Sequence, residues 1–488
     1  MYKLRKYGIL FFLLLIKHYG AAQGFNKIYP ILGEQTFATS IIKSNIDNNY
    51  IIIGQSVSNN TRYLRILKIN EEGDVLYDKN YGDSLEIYYS AIGQAVAATY
   101  DNNYIVGGSY TFDTATVNIS QSFLIKINED GDTLWRKFYD GPFYDVFRAV
   151  ALTKDSGFIA VGEYCMNSFN TVPKLYLVKI DSAGNEQWRK VYPSANSEAG
   201  WSVQQTFDGG YIIGGWKGNS SDQYNFVVKT DSLGEIQWTR LYNSDSNGRC
   251  YITQLSDSNY IISSIYGKFI DNEVGFQAYL RKIDTAGSQI WLKYYGDIGP
   301  ERFYSRVIES NKKITAVGEN IDLTSNTLFS WMLQTDLNGN QQWDRKYYFN
   351  NPSEYQYLED LTISHNNDFL MCGYITIPTT SWVIKTDSMG CIVSGCAVGI
   401  REIEEEQSFY VYPNPASNVL NISLRNDTGE PLQIKLLDIS GKEIFSENHS
   451  FTGDILLQKD IGNLNAGLYF ISIQTNNSHK LQKVLIVR

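Results

Sequence analysis

A short phrase recurs along this chain every 50 to 58 residues, and few folds tolerate such a period. Its clearest copy, VVKTDSLGEIQWTRLY, ends at Tyr242. Thr230 and Asp231 open a tight turn, and Gly234 supplies the positive φ that the turn needs. Trp238 and Tyr242 follow four residues apart, on one face of a strand whose side chains alternate. The turn glycines are Gly73, Gly131, Gly184, Gly234, Gly287, Gly339 and Gly390. Four residues after the first six come Tyr77, Trp135, Trp188, Trp238, Trp291 and Trp343. Eight residues after them come Tyr81, Tyr139, Tyr192, Tyr242, Tyr295 and Tyr347. The seventh copy breaks the rule, with Ser394 and Val398 at those places.

Upstream of each turn lies a second signature, a polar turn and then an apolar strand closing on glycine. It reads DNNYIIIG at Asp47, DNNYIVGG at Asp101, DSGFIAVG at Asp155 and DGGYIIGG at Asp208. Looser copies start at Asp257, Asn311 and Asn366. Each unit therefore holds about four strands, and four strands per period of about fifty residues predict a propeller blade. A blade has two apolar faces that only neighbouring blades can cover, so the units are expected to close into a ring. FNKIYP near the N-terminus places Phe25 and Tyr29 four apart, as WRKVYP places Trp188 and Tyr192. That strand is expected to complete the seventh blade and remove an exposed edge. The predicted fold is all-β: a seven-bladed β-propeller over residues 23–396, its N-terminal strand closing the last blade, followed by a small C-terminal β-sandwich.

Lys3, Arg5 and Lys6, the apolar run Ile9 to Ile16, and Ala21 and Ala22 read as a signal peptide over residues 1–22. The run is too short to span a bilayer, so no transmembrane helix is expected in the mature chain. Net charge is −10 and no basic patch interrupts the repeats, which argues against nucleic acid as a partner. Of five cysteines, Cys391 and Cys396 stand close together after the last turn, and in an exported protein they are a disulfide candidate. Residues 397–408, with Glu402, Glu404, Glu405 and Glu406, read as an acidic linker.

Beyond the linker the repeat stops, and residues 409–488 carry alternating strands. Tyr412-Pro413-Asn414-Pro415 comes first, then Asp438-Ile439-Ser440-Gly441-Lys442. Leu464-Asn465-Ala466-Gly467-Leu468-Tyr469 and a terminal Lys483 to Val487 run follow. In that order these motifs resemble the C-terminal sorting domain of the type IX secretion system of Bacteroidetes. The resemblance implies the type IX machinery as a partner of residues 409–488. It also implies translocation to the outer surface or beyond, after signal-peptide removal, with release or attachment to surface lipopolysaccharide. The repeats are similar to seven-bladed propellers of secreted bacterial and archaeal proteins that carry DGGYIIGG and KTDSxGxxxW motifs, a group with no shared catalytic residues to transfer.

The catalytic repertoire looks thin. Of four histidines, His18 lies in the signal peptide and His449 and His479 in the sorting domain, leaving His365. A serine triad or a zinc cluster cannot be built from one histidine. Asn128 to Asp132 resembles part of a calcium loop, but its aligned partners simply make the same turn. No catalytic, cofactor or metal residue is assigned, no cofactor is expected, and the chain reads as a non-enzymatic binding module for a glycan or protein. The alternatives are a polysaccharide-active enzyme using carboxylates, Glu198, Glu301 and Glu354 being available, and a structural or adhesive surface protein. The repeated Trp and Tyr are assigned to packing between blades. The connections opposite the regular turns vary, for example SYTFDTATVNISQS after Gly108, and variable loops on a regular scaffold form a binding face. Tyr144, Trp201, Tyr304, Tyr355 and Tyr357 in or beside them are the ligand-face candidates.

Overall fold

In the computed structural model the chain divides into two compact units, Met1–Ala397 and Val398–Arg488. The residues described are 24–392 and 409–487, except 60, 83–85, 91–95, 115–116, 140, 142–143, 167–171, 220–222, 244–249, 271–272, 300–301, 304–306, 323–326, 350–354, 365, 413–414, 427–428, 440 and 476–478. The regular structure among them is β-strand.

Strands of the first unit come in antiparallel quartets paired in chain order. Gln35–Lys43, Tyr50–Ser58, Thr61–Ile69 and Val75–Tyr81 form one; Ser197–Gln205, Tyr211–Gly218, Gln223–Thr230 and Ile236–Asn243 form another. Between them lies a nine-stranded sheet, two such quartets, one with its first strand in two pieces, Glu86–Ser90 and Val96–Ala98, joined by a parallel pairing of Tyr144 with Ser120. The last sheet pairs Gln356–Ile363, Phe369–Thr376 and Thr379–Thr386 with a fourth strand from the far end of the chain, Phe25–Tyr29. Its register sets Phe25 opposite Lys385 and Tyr29 opposite Ser381. Second and third strands are almost wholly buried, fourth strands are largely exposed, and first strands of neighbouring quartets lie against one another. First strands are therefore innermost.

The glycine turn explains the repeated aromatics. Asp231 Oδ1 accepts the amides of Leu233 and Glu235, both at 2.9 Å, and Gly234 sits at φ +79°. A side chain there would also collide with the indole of Trp188, from the preceding quartet. Each tyrosine eight residues past a turn donates its hydroxyl to the turn glycine carbonyl one quartet further on. Tyr139 reaches Gly184 at 2.9 Å, Tyr192 reaches Gly234 at 2.7 Å, and Tyr242 reaches Gly287 at 2.6 Å. Tyr295 reaches Gly339 at 2.8 Å, Tyr347 reaches Gly390 at 2.9 Å, and Tyr81 bonds Gly131. Tyr29 does the same to Gly73 at 2.8 Å, with the Phe25 ring over that glycine. Burying each large ring contributes roughly 2–3 kcal/mol.

A second repeated link runs beneath the turns. Lys126, Lys179 and Lys229, each five residues before a turn glycine and nearly inaccessible, pair with Asp101, Asp155 and Asp208 of the polar turn at 2.6, 2.8 and 2.9 Å. The turn hydroxyl of Thr206 and the Lys229 ammonium outweigh burial and hold the Asp208 carboxyl down to about 2. In the last quartet Lys385 instead pairs with Glu71 of the first, across the boundary that the N-terminal strand also bridges.

Each boundary has an apolar core. One joins Leu370, Cys372 and Val383 to Ala38, Ile41 and Ile52, with Phe25 and Tyr29 between them. The stretch after Gly108, expected as loop, instead continues a long hairpin, Tyr104–Thr114 with Val117–Ile127. Its alternating Thr, Val and Ile favour extended pairing.

In the second unit Phe409–Tyr412, Val419–Asn426 and Gly453–Asp460 form one sheet. Glu443–His449, Leu432–Asp438, Gly467–Gln474 and His479–Ile486 form another, and both contribute to one core around Leu420, Ile434, Ile471 and Val484. Asp438 and Gly441, at φ +82°, make the expected turn, and Gly467 opens a strand. Tyr469 donates to the Asn465 carbonyl at 3.0 Å. Pro415 is exposed beside Ala416, whose amide joins the last strand at Leu485; Pro413 and Asn414 lie outside the described residues. No described helix is long and apolar enough to cross a membrane.

Candidate functional site

The antiparallel order puts the polar and glycine turns at one end of every quartet and the less regular connections at the other. Toward that second end the first strand carries a bulge in several quartets. The register shifts at Ala38/Ser40, Phe147/Ala149, Gly200/Ser202 and Leu358/Asp360. The bulge drives a first-strand carbonyl into the place of a second-strand Cβ, so that position is glycine. A Cβ on Gly54, Gly162, Gly215 or Gly373 would strike the carbonyl of Phe37, Val146, Ala199 or Tyr357. The glycine closing the second signature is thus dictated by the bulge.

Immediately past these glycines the repeat loses its regularity. The cross-strand pairs there are Phe37 with Gln55, Val146 with Glu163, Ala199 with Trp216, Arg302 with Glu319, and Tyr357 with Tyr374. The bulged residues are Thr39, Arg148, Trp201 and Glu359. One register of the innermost strands therefore carries a different chemistry in each of these five quartets, on a scaffold that is otherwise repeated.

Two groupings stand out. Arg148 Nε lies 2.8 Å from Glu163 Oε1, and its guanidinium sits 4.7 Å from the Trp201 ring centroid in the next quartet. Burial alone would lower the Arg148 pKa, but the Glu163 carboxylate more than offsets this and holds the guanidinium above its ordinary value. Tyr144 is close enough that burial, and then Glu163, raise its phenol. In the same strand the fully buried Asp145 accepts the Ser122 amide at 2.8 Å. Burial nevertheless pushes its carboxyl up to about 6. The second grouping joins the last and first quartets: Tyr357 stacks on Tyr374 at 4.8 Å, and Phe37 meets Tyr374 edge-on at 5.0 Å.

The structure thus brings Tyr144 and Trp201 into one cluster. Trp201 is only 3% exposed, its ring facing the guanidinium rather than open solvent. Tyr357 stands in the second grouping, two residues from the exposed Tyr355. Tyr304, His365, Glu301 and Glu354 lie outside the described residues. Glu198 is buried against Lys217 at 2.5 Å. Cys391 is buried and disulfide-bonded, while Cys396 lies outside the described residues. Asn128 Oδ1 caps the amides of Asp130 and Asp132, and Glu129 pairs with Lys68 at 2.6 Å, so both side chains are engaged in the turn. Sequence reasoning missed Arg148, Glu163, Phe37 and Tyr374. The variable residue after each second-strand glycine was the available signal.

Comparison with known proteins locates the address first. Residues 410–488 match the secretion system C-terminal sorting domain. The chain carries the type IX sorting signal of Bacteroidetes and is secreted to the cell surface or the extracellular space. A curated relative, an endo-acting ulvan lyase of Formosa agariphila, is 36% identical over 78 residues, 16% of this chain. The chain spans 14% of that relative's length. Among solved structures, polysaccharide lyase Uly1 has a TM-score of 0.45 at 12% identity, covering 72% of this chain and 90% of its own. An alpha-L-arabinanase of Penicillium chrysogenum has 0.41 at 11% identity, covering 75% and 98%. A Bacteroides caccae protein of unknown function has 0.38 at 10%, covering 64% and 94%. The expectation of a non-enzymatic chain does not stand beside these relatives. It inferred inactivity from scarce histidine, and the finding against it is the match to an endo-acting ulvan lyase.

Proposed function

We propose that this exported chain engages polysaccharide outside the cell through the variable register of its inner strands. In this reading residues 23–396 are a seven-bladed propeller, preceded by a signal peptide at 1–22. Residues 397–408 are a linker, and 409–488 form a small β-sandwich that serves as the export address. The circular succession of tyrosine-to-glycine links, with Tyr29 supplying the one that the seventh repeat lacks, supports the blade count.

The observation that carries the functional reading is the Arg148, Glu163, Trp201 and Tyr144 cluster. A guanidinium and a carboxylate locked together present fixed donors and acceptors, and aromatic rings stand beside them. Such a set suits vicinal hydroxyls, and it lies where the repeated scaffold ceases to repeat. Fold likeness contributes nothing to this choice, because one fold serves many chemistries.

The test incubates the full secreted chain with neutral and uronate-containing polysaccharides. Retention in affinity gels reports engagement, new reducing ends report hydrolysis, and ultraviolet absorbance of unsaturated uronate reports elimination. The reading expects retention by at least one polysaccharide, weakened in Arg148→Met. Neither retention nor product with any polysaccharide overturns it.

A further inference from the structure

We propose that Phe37, Tyr357 and Tyr374 form a stacking subsite for one sugar ring of the bound polysaccharide, an inference that rests on the functional reading above. Tyr357 and Tyr374 are cross-strand partners in the last quartet, stacked at 4.8 Å with an interplanar angle of 27°. Phe37, on the first strand of the first quartet, meets Tyr374 at 68° and 5.0 Å. The trio spans the boundary that the N-terminal strand closes, and all three rings remain half-buried.

Packing does not require aromatics here. At the same register other quartets hold Val146 with Glu163, and Ala199 with Trp216, on the same bulge and the same glycine. The scaffold is satisfied by a small aliphatic residue in the first strand, so three rings together exceed what it asks for.

The surroundings supply the polar complement of a sugar. Gln55 lies opposite Phe37 in register, and its side-chain oxygen accepts from Arg62 Nη1 at 3.1 Å. Two residues from Tyr357, the exposed Tyr355 is anchored by its carbonyl, which accepts the Thr376 amide at 3.1 Å. An apolar sugar face against the rings and equatorial hydroxyls toward an amide and a guanidinium is the match that this edge offers.

The test compares the full chain with Tyr374→Leu, which keeps apolar bulk but removes the ring, and with Tyr374→Phe, which keeps the ring. Affinity electrophoresis against xylan, mannan, arabinan, alginate and ulvan is the readout, with thermal unfolding run in parallel. The subsite predicts about tenfold weaker retention for Tyr374→Leu and near-normal retention for Tyr374→Phe, with similar unfolding temperatures. If Tyr374→Leu is retained as well as the unmodified chain, the subsite is refuted while polysaccharide engagement stands. If the unmodified chain is retained by none of the five, engagement itself fails and the subsite with it.

Discussion

Removing the Phe25 ring probes ring closure at its one non-repeated point. Phe25 is 7% exposed, its ring lies over Gly73, and its strand pairs with the outer edge of Thr379–Thr386. Phe25→Ala leaves a void between the last and first quartets, and a large-to-small change of this kind costs about 3–5 kcal/mol. Tyr29→Phe removes only the 2.8 Å bond to the Gly73 carbonyl, for about 1 kcal/mol. Tyr192→Phe removes the equivalent 2.7 Å bond within the body of the repeats and should cost the same. Urea unfolding followed by tryptophan fluorescence gives the three values, and limited proteolysis locates the first opening. The seam should open first in Phe25→Ala, because an unpaired third strand and two apolar faces are then exposed together. A loss below about 1 kcal/mol in Phe25→Ala, or unequal costs for the two Tyr→Phe changes, would refute the equivalence of the seam with the other boundaries.

Four further outcomes follow from particular residues. Asp145 has its folded pKa raised to about 6, so the native state binds the proton more tightly than the unfolded chain. Its contribution is therefore favourable in acid and lost as pH rises through about 6, and Asp145→Asn should remove about 3 kcal/mol of that pH-dependent change in unfolding free energy. Arg148→Met leaves the Glu163 carboxylate buried without its cation and should cost about 3 kcal/mol, with Glu163→Leu in the same chain recovering most of it in a double-mutant cycle. Cys391 should be recovered by mass spectrometry linked to Cys396. Cys250, fully buried with its thiol pushed up to about 12, should resist alkylation until the chain unfolds.

Much of the scaffold is legible along the sequence because its determinants are local. A turn needs Asp231 and Gly234 within four residues, and the spacing of Trp238 and Tyr242 follows from strand pleating. The match of Phe25 and Tyr29 to Trp188 and Tyr192 anticipates their pairing with the last sheet. The buried lysines were equally visible, five residues before every turn glycine but Gly339, where Gln334 stands. Their significance appears only when the chain has folded the polar turn beneath them. The candidate site was legible only in part: Tyr144, Trp201 and Tyr357 were named, and the residues they meet were not. Arg148 and Trp201 belong to different quartets, and Phe37 and Tyr374 are separated by almost the whole repeated region. A bulge that shifts register by one residue decides which side chains meet; the glycine opposite it marks its place, but not which residues come together. The expectation of inactivity failed for a related reason: arginine, tyrosine and carboxylate can serve polysaccharide chemistry without histidine, and sequence spacing does not reveal which of them converge.

A crystal structure of the full chain with a retained oligosaccharide tests the central claim most directly. The account predicts sugar density at the level of Gly54, Gly162 and Gly373, touching the Arg148–Glu163 pair and the Tyr374 ring. Sugar seated instead on the end formed by the glycine turns, or on the fourth strands, would contradict it.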